Sequence, residues 1–102
     1  MIKGIIFGRT FEAAKEKMIA LIKDYETYWE IKPIAETMCK NDMWVKFSNG
    51  DTWRVKSAYT IDSLRGYKCN IVLLDYNLSE EICNYAKTIL INPIKAIGYY
   101  YS

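Results

Sequence analysis

The sequence predicts an α/β fold, with a central mixed β-sheet, a β-hairpin and two packing helices, as a single domain over residues 1–102. Three observations predict it. Two short aliphatic runs, Ile2–Phe7 and Asn70–Asp75, have the continuous apolar character of strands buried on both faces. Each run is followed by a hydroxyl residue and then by apolar residues at helical spacing. Between these two units, Met43–Ser48 and Asp51–Ser57 alternate apolar and polar residues around Asn49-Gly50.

The elements follow in order. Ile2–Phe7 closes at Gly8. Thr10 then caps a first helix, with Glu12 in its first turn, where a carboxylate suits the helix dipole. Phe11, Ala14, Met18, Leu21, Ile22 and Tyr25 form its apolar stripe, and Lys15, Lys17 and Lys23 face away from it. Pro33 breaks the chain after this helix and its tail, and Ile34–Cys39 reads as a strand of unclear period. The hairpin comes next. Asn-Gly tolerates the two positive φ angles of a type I′ turn, so a two-residue turn is expected. Thr60–Tyr67 is a linking segment. After Asn70–Asp75, Ser79 caps a second helix, with Glu80 and Glu81 in its first turn. Ile82, Tyr85, Ala86, Ile89 and Leu90 form its stripe, Pro93 ends it, and Ile94–Tyr101 forms the last strand.

Composition bounds the chemistry. The chain is 51% hydrophobic and 15% aromatic with nine Tyr, the composition of a folding domain. Histidine is absent, so neither a His-based nucleophile activation nor a His-containing zinc site is available. Cys39, Cys69 and Cys83 are widely spaced and form no CxxC; they read as buried, reduced thiols of a cytoplasmic protein. No apolar stretch has the length to span a bilayer, and the opening residues do not read as a signal peptide. No cofactor, metal or membrane partner is expected.

The net charge of +2 gives no global field, but it is uneven. Lys40, Lys46, Arg54, Lys56, Arg65 and Lys68 stand against Asp42, Asp51 and Asp62, so the stretch 40–68 carries +3 and the remainder −1. If the hairpin alternates, Met43, Val45, Phe47, Trp53 and Val55 share one face, and Trp44, Lys46, Arg54 and Lys56 share the other. Such a basic–aromatic face fits three roles. It can meet an acidic protein surface, where Trp and Arg are favoured anchors. It can stack bases and track phosphates. Or Trp44 packs under the first helix while the cations snorkel outward. Arg65, beside Gly66, and Lys68 would extend the same region. Tyr99-Tyr100-Tyr101 would finish an edge strand, the kind of edge through which two copies pair.

Ile71-Val72-Leu73-Leu74-Asp75 resembles the Walker B strand of P-loop ATPases. Preceded by Phe47-Ser48-Asn49-Gly50-Asp51 and Ser63-Leu64-Arg65-Gly66, it resembles the core of phage terminase large subunits. There an F-x-NG-S-type hairpin, an RG motif and the Walker B strand occur in this order. Gly8–Met18 resembles the strand and helix that follow the Walker A helix of that family. The likeness runs from about Ile2 to Tyr85, and no single piece of it is specific. It implies a truncated P-loop-ATPase-like core.

The departures from the family are chemical. No GxxxxGK[ST] loop is present to cradle phosphates, and the part of the core that carries it would lie before Met1. The Walker B acid is normally followed by a catalytic Glu, whereas Tyr76 follows Asp75. Asp75 therefore reads as a degenerate Walker B-like acid, hydrogen-bonded to a loop. The other carboxylates, Asp51, Asp62, Glu80 and Glu81, are scattered over a turn, a linker and a helix start.

The expectation is a non-enzymatic protein of phage or mobile-element type that binds a larger nucleoprotein machine or protein partner, as an inhibitor such as an anti-CRISPR or as a motor accessory. Two alternatives stand beside it: a nucleic-acid-binding regulator, and a degenerate nucleotide-binding or nuclease subunit completed by another chain. A fold resemblance without the site does not carry the family's activity.

Overall fold

The computed structural model describes residues 1–39, 42–57, 68–91 and 96–101. They form β1 (Lys3–Gly8), α1 (Phe11–Trp29), β2 (Pro33–Cys39), β3 (Asp42–Phe47), β4 (Thr52–Ser57), β5 (Ile71–Asp75), α2 (Glu80–Thr88) and β6 (Ala96–Tyr100). The linking segment 60–67, Asp62, Arg65 with Gly66, and Pro93 lie outside the described residues.

The strands make one six-stranded mixed sheet in the order β2-β3-β4-β1-β5-β6. β4, β1, β5 and β6 run parallel; β3 joins β4 antiparallel, and β2 pairs antiparallel with β3 at the edge, so β3 alone runs against the other five strands. From β1 the chain crosses by α1 toward the hairpin side; from β5 it crosses by α2 in the opposite direction. Crossovers of one hand that run in opposite directions put their helices on opposite faces.

The packing has this form. Ile6 buries against Ala14, Met18 and Tyr25 of α1, while Ile5 and Phe7 bury on the other face with Val72, Leu74, Ala86 and Ile89. After the exposed Lys3, β1 is apolar because both of its faces are covered.

The α1 stripe is as expected. Ala14, Met18 and Tyr25 are buried, and Phe11, Leu21 and Ile22 pack beside them. Thr10 Oγ1 accepts from Ala13 N–H at 3.2 Å. The helix stops at Glu30, which is left-handed at φ 55°, with Ile31 N–H donating back to Tyr25 C=O. Lys17 does not simply face solvent; its ammonium lies 5.7 Å from the Tyr100 ring centre. The second helix is shorter than its stripe suggested. It ends at Thr88, and Leu90 instead forms a parallel bridge with Cys69.

The hairpin turn differs from the two-residue form. Gly50 has φ 94°, and among the described non-glycine residues only Glu30 has positive φ, so Asn49 does not supply the second left-handed residue of a type I′ turn. Gly50 N–H donates to Phe47 C=O at 3.0 Å, and Phe47 N–H donates to Asp51 C=O at 2.8 Å. The loop is therefore Ser48-Asn49-Gly50, a turn followed by a left-handed glycine. Asn49 is held by Asp51: its amide donates to Asp51 Oδ2, and its Oδ1 accepts from Asp51 N–H.

Cys69 is fully buried, and burial pushes its thiol up to about 11. Cys83 is only half-buried, against expectation, because it lies at the margin of the α2 cluster. No helix among the described residues is long and apolar enough to cross a membrane.

Candidate binding face on the hairpin

The β3–β4 register is Met43↔Val55, Trp44↔Arg54, Val45↔Trp53 and Lys46↔Thr52. Met43, Val45, Phe47, Trp53 and Val55 are buried against α1. Trp44, Lys46, Thr52, Arg54 and Lys56 therefore project from the opposite face. Trp44 does not pack under the first helix. It is half-buried on the far side of the sheet and, with Thr52 and Arg54, lines a shallow groove of about 270 Å³. Lys46 is exposed, and Arg54 and Lys56 are half-buried.

Neighbouring strands extend this face. Lys3, at the start of β1, aligns with Thr52, while Ile5 and Phe7 align with Arg54 and Lys56. On the outer side, Ala35 and Thr37 of β2 align with Lys46 and Trp44. Glu36 has the opposite parity, aligned with Val45, whereas Asp42, at the start of β3, shares the parity of Trp44 and Lys46. Lys3 and Arg54 are each engaged within the chain. Lys68 is exposed but does not join the hairpin; it precedes β5, at the end of the sheet where β1 begins. Arg65 lies outside the described residues.

The chain matches no family model, no curated protein and no solved structure.

What anchors the face is a buried polar network that sequence reasoning did not find. Asp51, at the end of the turn, is 6% exposed. Its Oδ1 accepts from Ile2 N–H at 2.8 Å, and its Oδ2 accepts from Tyr25 Oη–H at 2.7 Å and from Asn49 Nδ2 at 3.0 Å. Trp53 Nε1–H donates to Tyr25 Oη at 3.1 Å. The network ties the turn, α1, β4 and the N-terminal segment together.

Burial raises the Asp51 pKa, but the hydrogen bonds from Ile2, Tyr25 and Asn49 and the N-terminal charge outweigh it and leave the carboxyl below its ordinary value. Burial, with the Asp51 carboxylate, pushes Tyr25 up to about 12, although the Trp53 hydrogen bond opposes the rise. Tyr25 stacks on Phe47 at 3.9 Å between ring centres. Trp53 lies over Gly4 of the adjacent strand, where a β-carbon would strike its ring.

Asp75 sits at the carboxyl end of β5 on the α1 side and is 1% exposed. Its Oδ1 accepts from Asn77 N–H at 2.9 Å and from Asn77 Nδ2 at 3.3 Å. It is a strand-end carboxylate holding its own loop. Beside it Tyr100 donates to Phe7 C=O at 2.7 Å; burial and the Asp75 charge raise the Tyr100 pKa. Among the described residues no group of three or more His, Cys, Asp or Glu gathers.

Proposed function

We propose that the protein is a non-catalytic binding module of phage or mobile-element type. In this reading it docks the Trp44–Lys46–Arg54–Lys56 face onto an anionic surface of a larger protein or nucleoprotein machine in the host cytoplasm. The observation that carries it is the strand register: alternate residues of β3 and β4 gather three cations and a tryptophan on one face, with Asp42 at its end as the one acid of that parity in the two strands. Cations in such a setting keep their charged tips toward water or toward an anion. A half-buried indole beside them supplies the apolar area that an anchor needs.

The truncated P-loop-ATPase-like reading of the fold belongs to the same proposal. The parallel run β4-β1-β5-β6, flanked by helices on opposite faces, supports it, as does the acid at the tip of β5. Asp75 bound to Asn77, with Tyr76 next in the chain, favours a scaffold over a nucleotide site. Micromolar ATP affinity in a calorimetric titration would contradict that part.

The experiment is a tryptophan-fluorescence titration with duplex DNA, single-stranded DNA and polyglutamate over a salt series. The expected result is binding to at least one of the three that weakens as salt rises. Binding to DNA alone, with a steep salt slope, selects a nucleic-acid-binding regulator; binding to polyglutamate selects an acidic protein partner. Absence of binding to all three at low salt would contradict the proposal.

A further inference from the structure

We propose that the chain forms a two-fold homodimer in which β6 pairs antiparallel with β6 of a second copy, with the axis at Gly98, so that one sheet runs through both copies. This surface is separate from the hairpin face, and the inference does not depend on it.

Among the described residues no strand lies beyond β6. Its peptide groups alternate in direction. Ala96 N–H donates to Asn70 C=O at 3.1 Å, and Tyr100 C=O accepts from Tyr76 N–H at 2.8 Å. Ala96, Gly98 and Tyr100 thus turn their peptide groups toward β5, and those of Ile97 and Tyr99 point outward. These two residues stand symmetrically about Gly98. A two-fold axis there sets Ile97 opposite Tyr99 of the second copy and Tyr99 opposite its Ile97. Each pair exchanges both of its hydrogen bonds, as a closely spaced antiparallel pair does. This axis pairs β6 over its full length, Ala96 with Tyr100, and needs no other segment.

The side chains favour a second copy as the occupant. β6 reads Ala-Ile-Gly-Tyr-Tyr and carries no charge, so self-pairing brings no like charges together. The facing pairs are Ile with Tyr, Ala with Tyr and, at the axis, Gly with Gly; the two Ile–Tyr pairs join a β-branched to an aromatic side chain, a combination that stabilises antiparallel strands. Ile97, Tyr99 and Tyr101 are exposed, and Tyr76 braces the end of the strand, 5.2 Å from Tyr99 and 4.2 Å from Tyr101 between ring centres.

The opposite edge of the sheet is built differently. β2 has Pro33, which cannot donate, Glu36, and a register shift between Pro33 and Ala35. Those features block edge pairing. One edge is guarded and the other is apolar and self-complementary.

Light scattering on an eluting size-exclusion peak tests the dimer. The parent chain is expected at twice its 11.9 kDa mass, and Ile97→Pro at the single-chain mass with an unchanged circular dichroism spectrum. Proline at 97 removes only an outward N–H and leaves the β5–β6 ladder intact. Ile97→Lys tests the same edge through the side chain alone, so a folding failure of the proline variant does not end the test.

The register is read by cross-linking. Opposed residues of such a pair have Cα atoms about 5.5 Å apart, within disulfide reach. The double variant Ile97→Cys with Tyr99→Cys should form a covalent dimer on mild oxidation. Either single variant should behave like the parent, which controls for the native thiols. A parent monomeric at every soluble concentration overturns the proposal, as does a dimer that survives both Ile97→Pro and Ile97→Lys. Cross-linking by Tyr99→Cys alone overturns the axis at Gly98.

Discussion

The two faces of the β3–β4 hairpin are made by alternate residues of the same twelve or so positions, yet they do opposite things. Toward α1, Met43, Val45, Phe47, Trp53 and Val55 are all at most 4% exposed and are closed at the turn by the Asp51–Tyr25–Trp53 network. On the far side the same backbone holds Trp44, Thr52, Arg54 and Lys56 half-buried and Lys46 exposed. Period-two alternation gives one side of the hairpin to the core and leaves the other free of it. One face fixes where the other points, and each can be altered without the other.

Substitutions that break this separation fall in a clear order. Phe47→Ala should have the largest effect: it removes a fully buried ring stacked on Tyr25, and losses of about 3–5 kcal/mol accompany such truncations. Urea denaturation reads it directly, and a loss under about 1 kcal/mol would mean the aromatic stack does not hold the turn on α1.

Asp51→Asn comes next. An amide nitrogen in place of Oδ2 would meet the donors of Tyr25 and Asn49, for a cost of about 2 kcal/mol. The same carboxylate sets a pH dependence. Its folded pKa is lowered, so its contribution is in place above the unfolded value of about 3.9 and is lost as pH falls through the folded one. Acid titrations of stability should therefore diverge between parent and Asp51→Asn above that range and converge below it.

Gly50→Val is smaller, about 1–2 kcal/mol, because it forces a β-branched residue to the left-handed φ of 94°. An unchanged melting temperature would contradict that conformation.

Much of this architecture was legible in the residues. The Ile2–Phe7 and Ile71–Asp75 runs, the Thr10 and Ser79 caps, and the alternation around Asn49-Gly50 are local signals, and each produced the element it predicts. The turn type was not legible, because Asn49 is claimed by Asp51, and Asp51 is positioned by Tyr25 and Ile2, which are 26 and 49 residues away. Tyr25 stood in the apolar stripe, but nothing local says where its hydroxyl goes. Lys3 was missed on the basic face because only the β1–β4 register brings it beside Thr52. Leu90 continued a helical spacing that the chain abandons for a bridge to Cys69.

If the charged face serves binding and not folding, reversing its charges should spare stability. Arg54 is engaged within the chain, so the cleaner probes are Lys46 and Lys56. The decisive measurement is the affinity of Lys46→Glu combined with Lys56→Glu for whichever polyanion the parent binds, taken beside its denaturation curve. A binding face predicts stability within about 0.5 kcal/mol of the parent, as surface changes give. It also predicts affinity reduced tenfold or more, by about 1.4 kcal/mol at least, because repulsion replaces attraction. A double variant that is equally stable and binds as tightly as the parent would contradict it.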